Sequence, residues 1–192
     1  MTKSRIEAFS DGMFAIIITI MLLEIKFPKV YAAADFLPVL PALLSYGLCF
    51  VVTGGLWISH HRMFHKVQHI GGWVLWANLN LLFWLSLMPV FTGVIGEDGF
   101  NGFTVTFYTF EYMMCAVSYR LLVLTLRAEH GKDSQFIKDV PIGLAEHLVL
   151  SGYILSVPLS LYSPRAALVL LVFMVALTIF PERRNVFRLS KV

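Results

Sequence analysis

Residues 36–59 run for 24 positions without one charged side chain. A run of that length decides what kind of chain this is, because a bilayer core of ~30 Å takes about 20 apolar residues as a helix. A second uncharged run covers 70–96, and further apolar stretches cover 6–27, 100–126, 142–162 and 166–180. Six helices of this length occupy roughly 120 residues before their flanks are counted, and the chain has 192. No room remains for a water-soluble domain. The expected fold is therefore an all-α integral membrane protein, with 1–192 forming a single transmembrane domain of six helices.

Composition points the same way, with 58% hydrophobic and 14% charged residues against about 45–50% and about 25% in soluble domains. This excludes a soluble enzyme, a disordered chain and a secreted disulfide scaffold. The net charge of +3 is too small, and its basic residues too scattered, for a nucleic-acid surface. Cys49 and Cys115 lie singly inside apolar runs and read as packing residues. The first apolar stretch does not read as a cleavable leader, since Arg5, Glu7 and Asp11 precede it and no small-residue cleavage pattern follows.

Within the spans, several positions are expected to shape the helices. The uncharged part of the first, 12–23, is short, so Asp11 and Glu24 need neighbours that satisfy them. Pro38 and Pro41 mark the start of the second span, and Trp73 and Trp76 suit an interfacial belt in the third. Pro181 is expected to stop the sixth. The connection Ser163-Pro164-Arg165 is so short that the fifth and sixth spans must form an antiparallel hairpin.

Orientation follows from the loops. One set of ends and loops carries Lys3, Arg5, Arg62, Lys66, Arg127, Lys132, Lys138, Arg183, Arg184, Arg188 and Lys191. The opposite set carries only Lys26, Lys29 and Arg165. Both termini are expected in the cytoplasm, in a multi-pass protein of a bacterial inner (plasma) membrane.

Charged and polar groups inside a membrane are expensive and mark candidate sites. The densest group is Arg5-Ile-Glu-Ala-Phe9-Ser10-Asp11 at the head of the first helix. At about 100° per residue, Gly12, Ile16, Thr19, Ile20 and Leu23 share one stripe, and Asp11 points well away from it, toward a neighbouring helix. Such a stripe on its own is also what any helix apolar all round would show. At the end of the second span, Trp57-Ile-Ser-His60-His61-Arg62 is followed by His65 and His69. His61, His65 and His69 recur at the spacing of one helix face, but no carboxylate or thiol accompanies them, so no metal site is expected. The histidines, His60 and His61 among them, suit the interface, or one of them a bond to Asp11. Asn78 and Asn80 need partners across a helix interface. Glu111 and Arg120 fall on nearly opposite sides of the fourth helix and cannot pair. Enzyme signatures are missing: there is no HExxH, no GxSxG and no Gly-rich phosphate loop. The carbonyl filter of ordinary potassium channels is missing too.

The motif Arg5-x-x-x-Phe9-Ser10-Asp11, with Trp57-x-x-His60-His61-Arg62-x-Phe64 and Asn78…Leu87-Met-Pro89-Val-Phe-Thr92, resembles the transmembrane protein 175 (lysosomal potassium channel) family, above all its prokaryotic members. These motifs cover roughly 5–92; the last three helices match mainly in length and topology. The resemblance implies a homotetrameric, potassium-favouring cation channel with a central pore lined by the first helix. It places the hydrophobic constriction at Ile16, Ile20 and Leu23, with Thr19 as a polar layer. It makes Arg5, Phe9, Ser10, Asp11, Trp57, His60, His61 and Asn78 a structural and gating network. Potassium is the permeant ion, and neither a cofactor nor an enzymatic activity is implied. Two other classes stay open on the residues alone. One is a secondary or proton-coupled transporter using Asp11, Glu111 and the histidines as a relay; the other is a non-conducting scaffold.

Overall fold

The computed structural model describes the backbone of residues 2–27, 33–131 and 134–189, and the side chains of these except 33–35 and 179–189. Lys29, Lys132 and Lys191, which enter the orientation expectation, lie outside the described residues. The side chains of Arg183, Arg184 and Arg188 do so too.

All described secondary structure is helical. Helix α1 spans Lys3–Leu23, and a 3-10 helix at Ala33–Val39 leads into α2, Leu40–Lys66. Then come α3, Gly72–Asp98, α4, Gly102–His130, the single-turn α5, Gln135–Asp139, α6, Leu144–Tyr162, and α7, Pro164–Leu189. Five stretches are long and apolar enough to cross a membrane, and Pro164–Thr178 of α7 is a shorter apolar one. The chain is a membrane protein built from these helices.

Several expected boundaries move, each for a local reason. The first helix starts at Lys3 and ends at Leu23 rather than covering 6–27. Its polar first turn stays helical, with Lys3 and Glu7 paired at 4.0 Å, and the Ile25 N–H closes the end on the Leu22 carbonyl at 3.3 Å. Pro38 sits in the 3-10 helix and Pro41 in the first turn of α2, where a missing N–H breaks no helical bond. The expected 60–69 loop is largely helix, since α2 continues to Lys66 and buries His60, Met63 and Phe64. That ends the run of histidines as a single face, because His69 lies beyond the helix.

The 127–141 connection is likewise partly helical. The Ser134 hydroxyl caps α5, Phe136 is buried, and Arg127 Nη1 donates to the Val140 carbonyl at 2.7 Å. Helix α7 runs on past Pro181 instead of stopping there. A membrane helix tolerates proline where neighbouring groups take up the freed carbonyl. Ser163 alone separates α6 from α7, and the two pack together as the short connection required.

Helix α4 is the centre of the bundle, packed on α3, α6 and α7, whereas α1 packs on α3 and α2. Contacts between links define the two ends. Lys3 Nζ donates to the His65 carbonyl at 3.2 Å, the Gln68 N–H to His130 Nε2 at 3.2 Å, and Lys66 pairs with Asp139 at 3.6 Å. These gather the N-terminus and the α2–α3 and α4–α6 links at one end. At the other, Lys26 pairs with Glu97, and the Ser160 hydroxyl donates to Thr106 Oγ1 at 2.9 Å.

Candidate functional site

Helix α1 has two contrasting faces. Ile6, Ser10, Phe14, Ile17 and Met21 recur every three or four residues and are buried against the bundle. The opposite face, Phe9, Ile16, Ile20 and Leu23, is open, with Ile16 53% and Leu23 79% exposed. Thr19 shares this open face, and its hydroxyl is turned back onto its own helix, donating to the Ile16 and Ala15 carbonyls at 2.9 and 3.1 Å. An apolar row of this kind, with one polar step in it, is left uncovered by the other described residues.

Two separate links pin the packed side of α1 near its head. Trp57 Nε1 of α2 donates to Asp11 Oδ1 at 2.9 Å. Deeper in, Asn78 Nδ2 of α3 donates to Ser10 Oγ at 3.0 Å, while Asn78 Oδ1 lies 2.8 Å from His60 Nε2 of α2. An amide oxygen only accepts, so His60 carries its proton on Nε2. Ser10, His60 and Asn78 are all buried. The His60 ring stacks on Phe64 at 4.3 Å and lies 5.6 Å from Phe14. Among the described residues neither His60 nor His61 bonds Asp11, whose partner is Trp57; of the two histidines it is His60 that turns inward, and it meets Asn78. His61 is exposed, 6.0 Å from the Trp57 ring, and Asn80 instead donates to Ser118 of α4 at 2.8 Å.

The expected network is thus gathered only in part. Arg5 and Phe9 fall on the open face, turned about 100–140° from Ser10 around the helix, and no hydrogen bond or ion pair joins the Arg5 side chain to the network among the described residues. The relay required by a transporter is not assembled. Asp11 is held by α2, whereas Glu111 is buried on α4, where its Oε1 accepts from Cys115 Sγ at 3.4 Å. No group of three or more His, Cys, Asp or Glu positioned to hold a metal occurs among the described residues.

Sequence reasoning missed a second polar cluster. Cys49 Sγ of α2 lies 3.3 Å from the Tyr108 hydroxyl and accepts from Thr92 and Tyr112 at 3.4 Å, and Tyr108 donates to the Ser45 carbonyl at 3.0 Å. Tyr108, Tyr112 and Cys115 recur along one face of α4. That spacing of small polar groups in an apolar span is the signal that could have found it.

The comparisons with known proteins bear on the same helices. The family model for the endosomal/lysosomal potassium channel TMEM175 matches residues 5–89, which contain α1, α2 and much of α3. A potassium channel of Chryseobacterium sp. is 38% identical over 184 residues, covering 96% of this chain and 96% of the relative. The chain belongs to the TMEM175 family. Within it, a potassium channel of Streptomyces collinus is 30% identical, with 84% of each chain covered. The fold is that of the crystal structure of a lysosomal potassium-selective TMEM175 homolog from Chamaesiphon minutus, with a TM-score of 0.81 over 92% of this chain and 96% of that one, at 24% identity. These relatives are named as channels, not enzymes. Ser10, Asp11, Trp57, His60 and Asn78 all lie inside the stretch matched by the TMEM175 model.

Proposed function

We propose that this chain is one subunit of a potassium-favouring cation channel, in which four copies of α1 surround the pore. The observation that carries this is the open stripe of α1. A helix braced on one side by two polar links, with an uncovered apolar row on the other, is built to present that row to something outside the subunit. One stripe cannot enclose a path, whereas copies around an axis can, and closed cyclic symmetry is the common way to arrange them. The Chryseobacterium and Streptomyces relatives, both named potassium channels, supply the ion.

On this reading Ile16, Ile20 and Leu23 form stacked apolar rings with Thr19 between them. A hydrophobic constriction excludes water when narrow, so an ion passing it sheds part of its hydration shell. Potassium holds its shell less tightly than sodium, which favours its passage. Six stretches, the sixth being the apolar start of α7, cross the membrane as a single domain. The end that gathers the N-terminus and the α2–α3 link is the lysine- and arginine-rich one, hence cytoplasmic, in a bacterial inner membrane. Asp11, Ser10, Trp57, His60 and Asn78 set the position of α1 without touching the ion, and Arg5, Phe9 and His61 lie at the rim of that brace. No cofactor is needed.

The test is electrical. Purified protein in planar bilayers should show discrete current steps, with a reversal potential under a potassium/sodium gradient displaced toward that of potassium. Equal permeability would remove the selectivity, and flux without steps would indicate a carrier.

A further inference from the structure

Helix α4 carries Arg120 inside a membrane-spanning segment, and nothing in the conduction reading uses it. Charged side chains at such positions need a partner or a ligand. The protein partner is weak. His147 of α6 approaches Arg120 Nη2 only at 3.5 Å, and among the described residues no carboxylate lies within 4.0 Å of the guanidinium. Glu146 is near, but its Oε2 is held by the Gly143 N–H at 2.7 Å, closing the first turn of its own helix.

Arg120 borders a cavity of about 250 Å³ between α2, α4, α6 and α7. Helix α2 meets α4 where Cys49 touches Tyr108 and Tyr112, and the cavity lies beyond that contact, between α2 and the α4–α6 pair. Its depth is largely apolar, with Val52 and Leu56 on one wall and Ala116 and Val149 on the other, and the Tyr112 and Tyr153 rings complete it. The charged part of its lining, Arg120 and Glu146, lies with Ser59 and Tyr119 toward the end where α2 finishes and α6 begins. The volume is well above the ~150 Å³ that takes up a benzene ring, enough for a length of acyl chain. A cation at one end and an apolar hollow behind it fit one kind of occupant.

We infer that this cavity is a binding site for an anionic phospholipid, with its phosphate on Arg120 and part of one acyl chain between α2 and α4. Arginine suits the task because its planar fork pairs two phosphate oxygens at once. The inference rests on the membrane setting of the chain and not on the identity of the permeant ion.

Native mass spectrometry of the full-length protein tests it, with phosphatidylglycerol and phosphatidylcholine of matched chains added to detergent-purified samples. Wild type should retain phosphatidylglycerol and lose phosphatidylcholine. Arg120→Gln should weaken phosphatidylglycerol retention about tenfold, the equivalent of about 1.4 kcal/mol, while Arg120→Lys keeps most of it. That rescue shows that the charge, not a collapsed bundle, is responsible. Equal retention of the two lipids by wild type, or full retention by Arg120→Gln, would overturn the assignment. So would displacement of the lipid by equimolar palmitate or glycerol phosphate, which would make the ligand a fatty acid or a free anion.

Discussion

Asn78 spends both ends of its amide on other helices, giving its N–H to Ser10 of α1 and its oxygen to His60 of α2. Replacing it by leucine leaves two buried polar groups without partners, which costs about 1–3 kcal/mol in soluble proteins and about 0.6 on average between membrane helices. Asn78→Leu should therefore lower the thermal midpoint in detergent by a few degrees. Adding Ser10→Ala should cost less than the sum of the two single changes, because they share one bond; strict additivity would place Asn78 outside any network. On the open face the expected effect is on conduction rather than stability. Ile16→Asn and Leu23→Ala should each raise unitary potassium conductance several-fold in bilayers, since a wetter or wider ring is easier to cross, and unchanged currents would move the constriction elsewhere. The apolar stripe and the Ser10-Asp11 motif were legible at this scale, because one helix has one period. Which histidine turns inward was not, since His60 and His61 are adjacent and only the packing of α2 on α3 separates them. Cys49, Tyr108 and Tyr112 were passed over because thiols and tyrosines in an apolar span look like filling until two helices bring them together.

At the scale of elements, hydrophobic runs announced α1 to α4 and α6 but not their ends. Lipid contact demands apolar side chains only across the bilayer core, so α2 carries on to Lys66 and α4 to His130 through polar sequence that the apolar pattern leaves unmarked. The corner these two extensions form is specific. His130 Nδ1–H donates to the Leu126 carbonyl at 2.9 Å, which leaves Nε2 to accept the Gln68 N–H. The ring is held between His69 at 4.4 Å and Phe136 at 4.8 Å. His130→Phe keeps the stacking and removes the acceptor. Loss of one neutral bond, about 1 kcal/mol, should speed hydrogen exchange of the 67–71 link about fivefold with little change in the rest of α4; an unchanged link would mean that stacking alone holds the corner. Pro181 misled for a related reason, since a proline breaks a helix only where its missing bond cannot be compensated.

For the whole molecule, the apolar surface that marks the chain as a membrane protein divides into two kinds. One kind, including Trp73 and Trp76 on α3, lies outward in the manner of lipid-facing side chains. The other is the row on α1, set opposite the side of that helix held by Trp57 and Asn78. Nothing in a single subunit distinguishes the two by exposure; the brace at Asp11 and Ser10 does so by fixing which way α1 is turned. The central claim is that this row meets copies of itself around an axis. Its most direct test is the rotational symmetry of detergent-purified particles by electron cryomicroscopy, with the innermost helix identified from side-chain density. Fourfold particles with Ile16, Ile20 and Leu23 pointing at the axis are predicted. A monomer, or an assembly in which α1 lies at the lipid-facing rim, would contradict it.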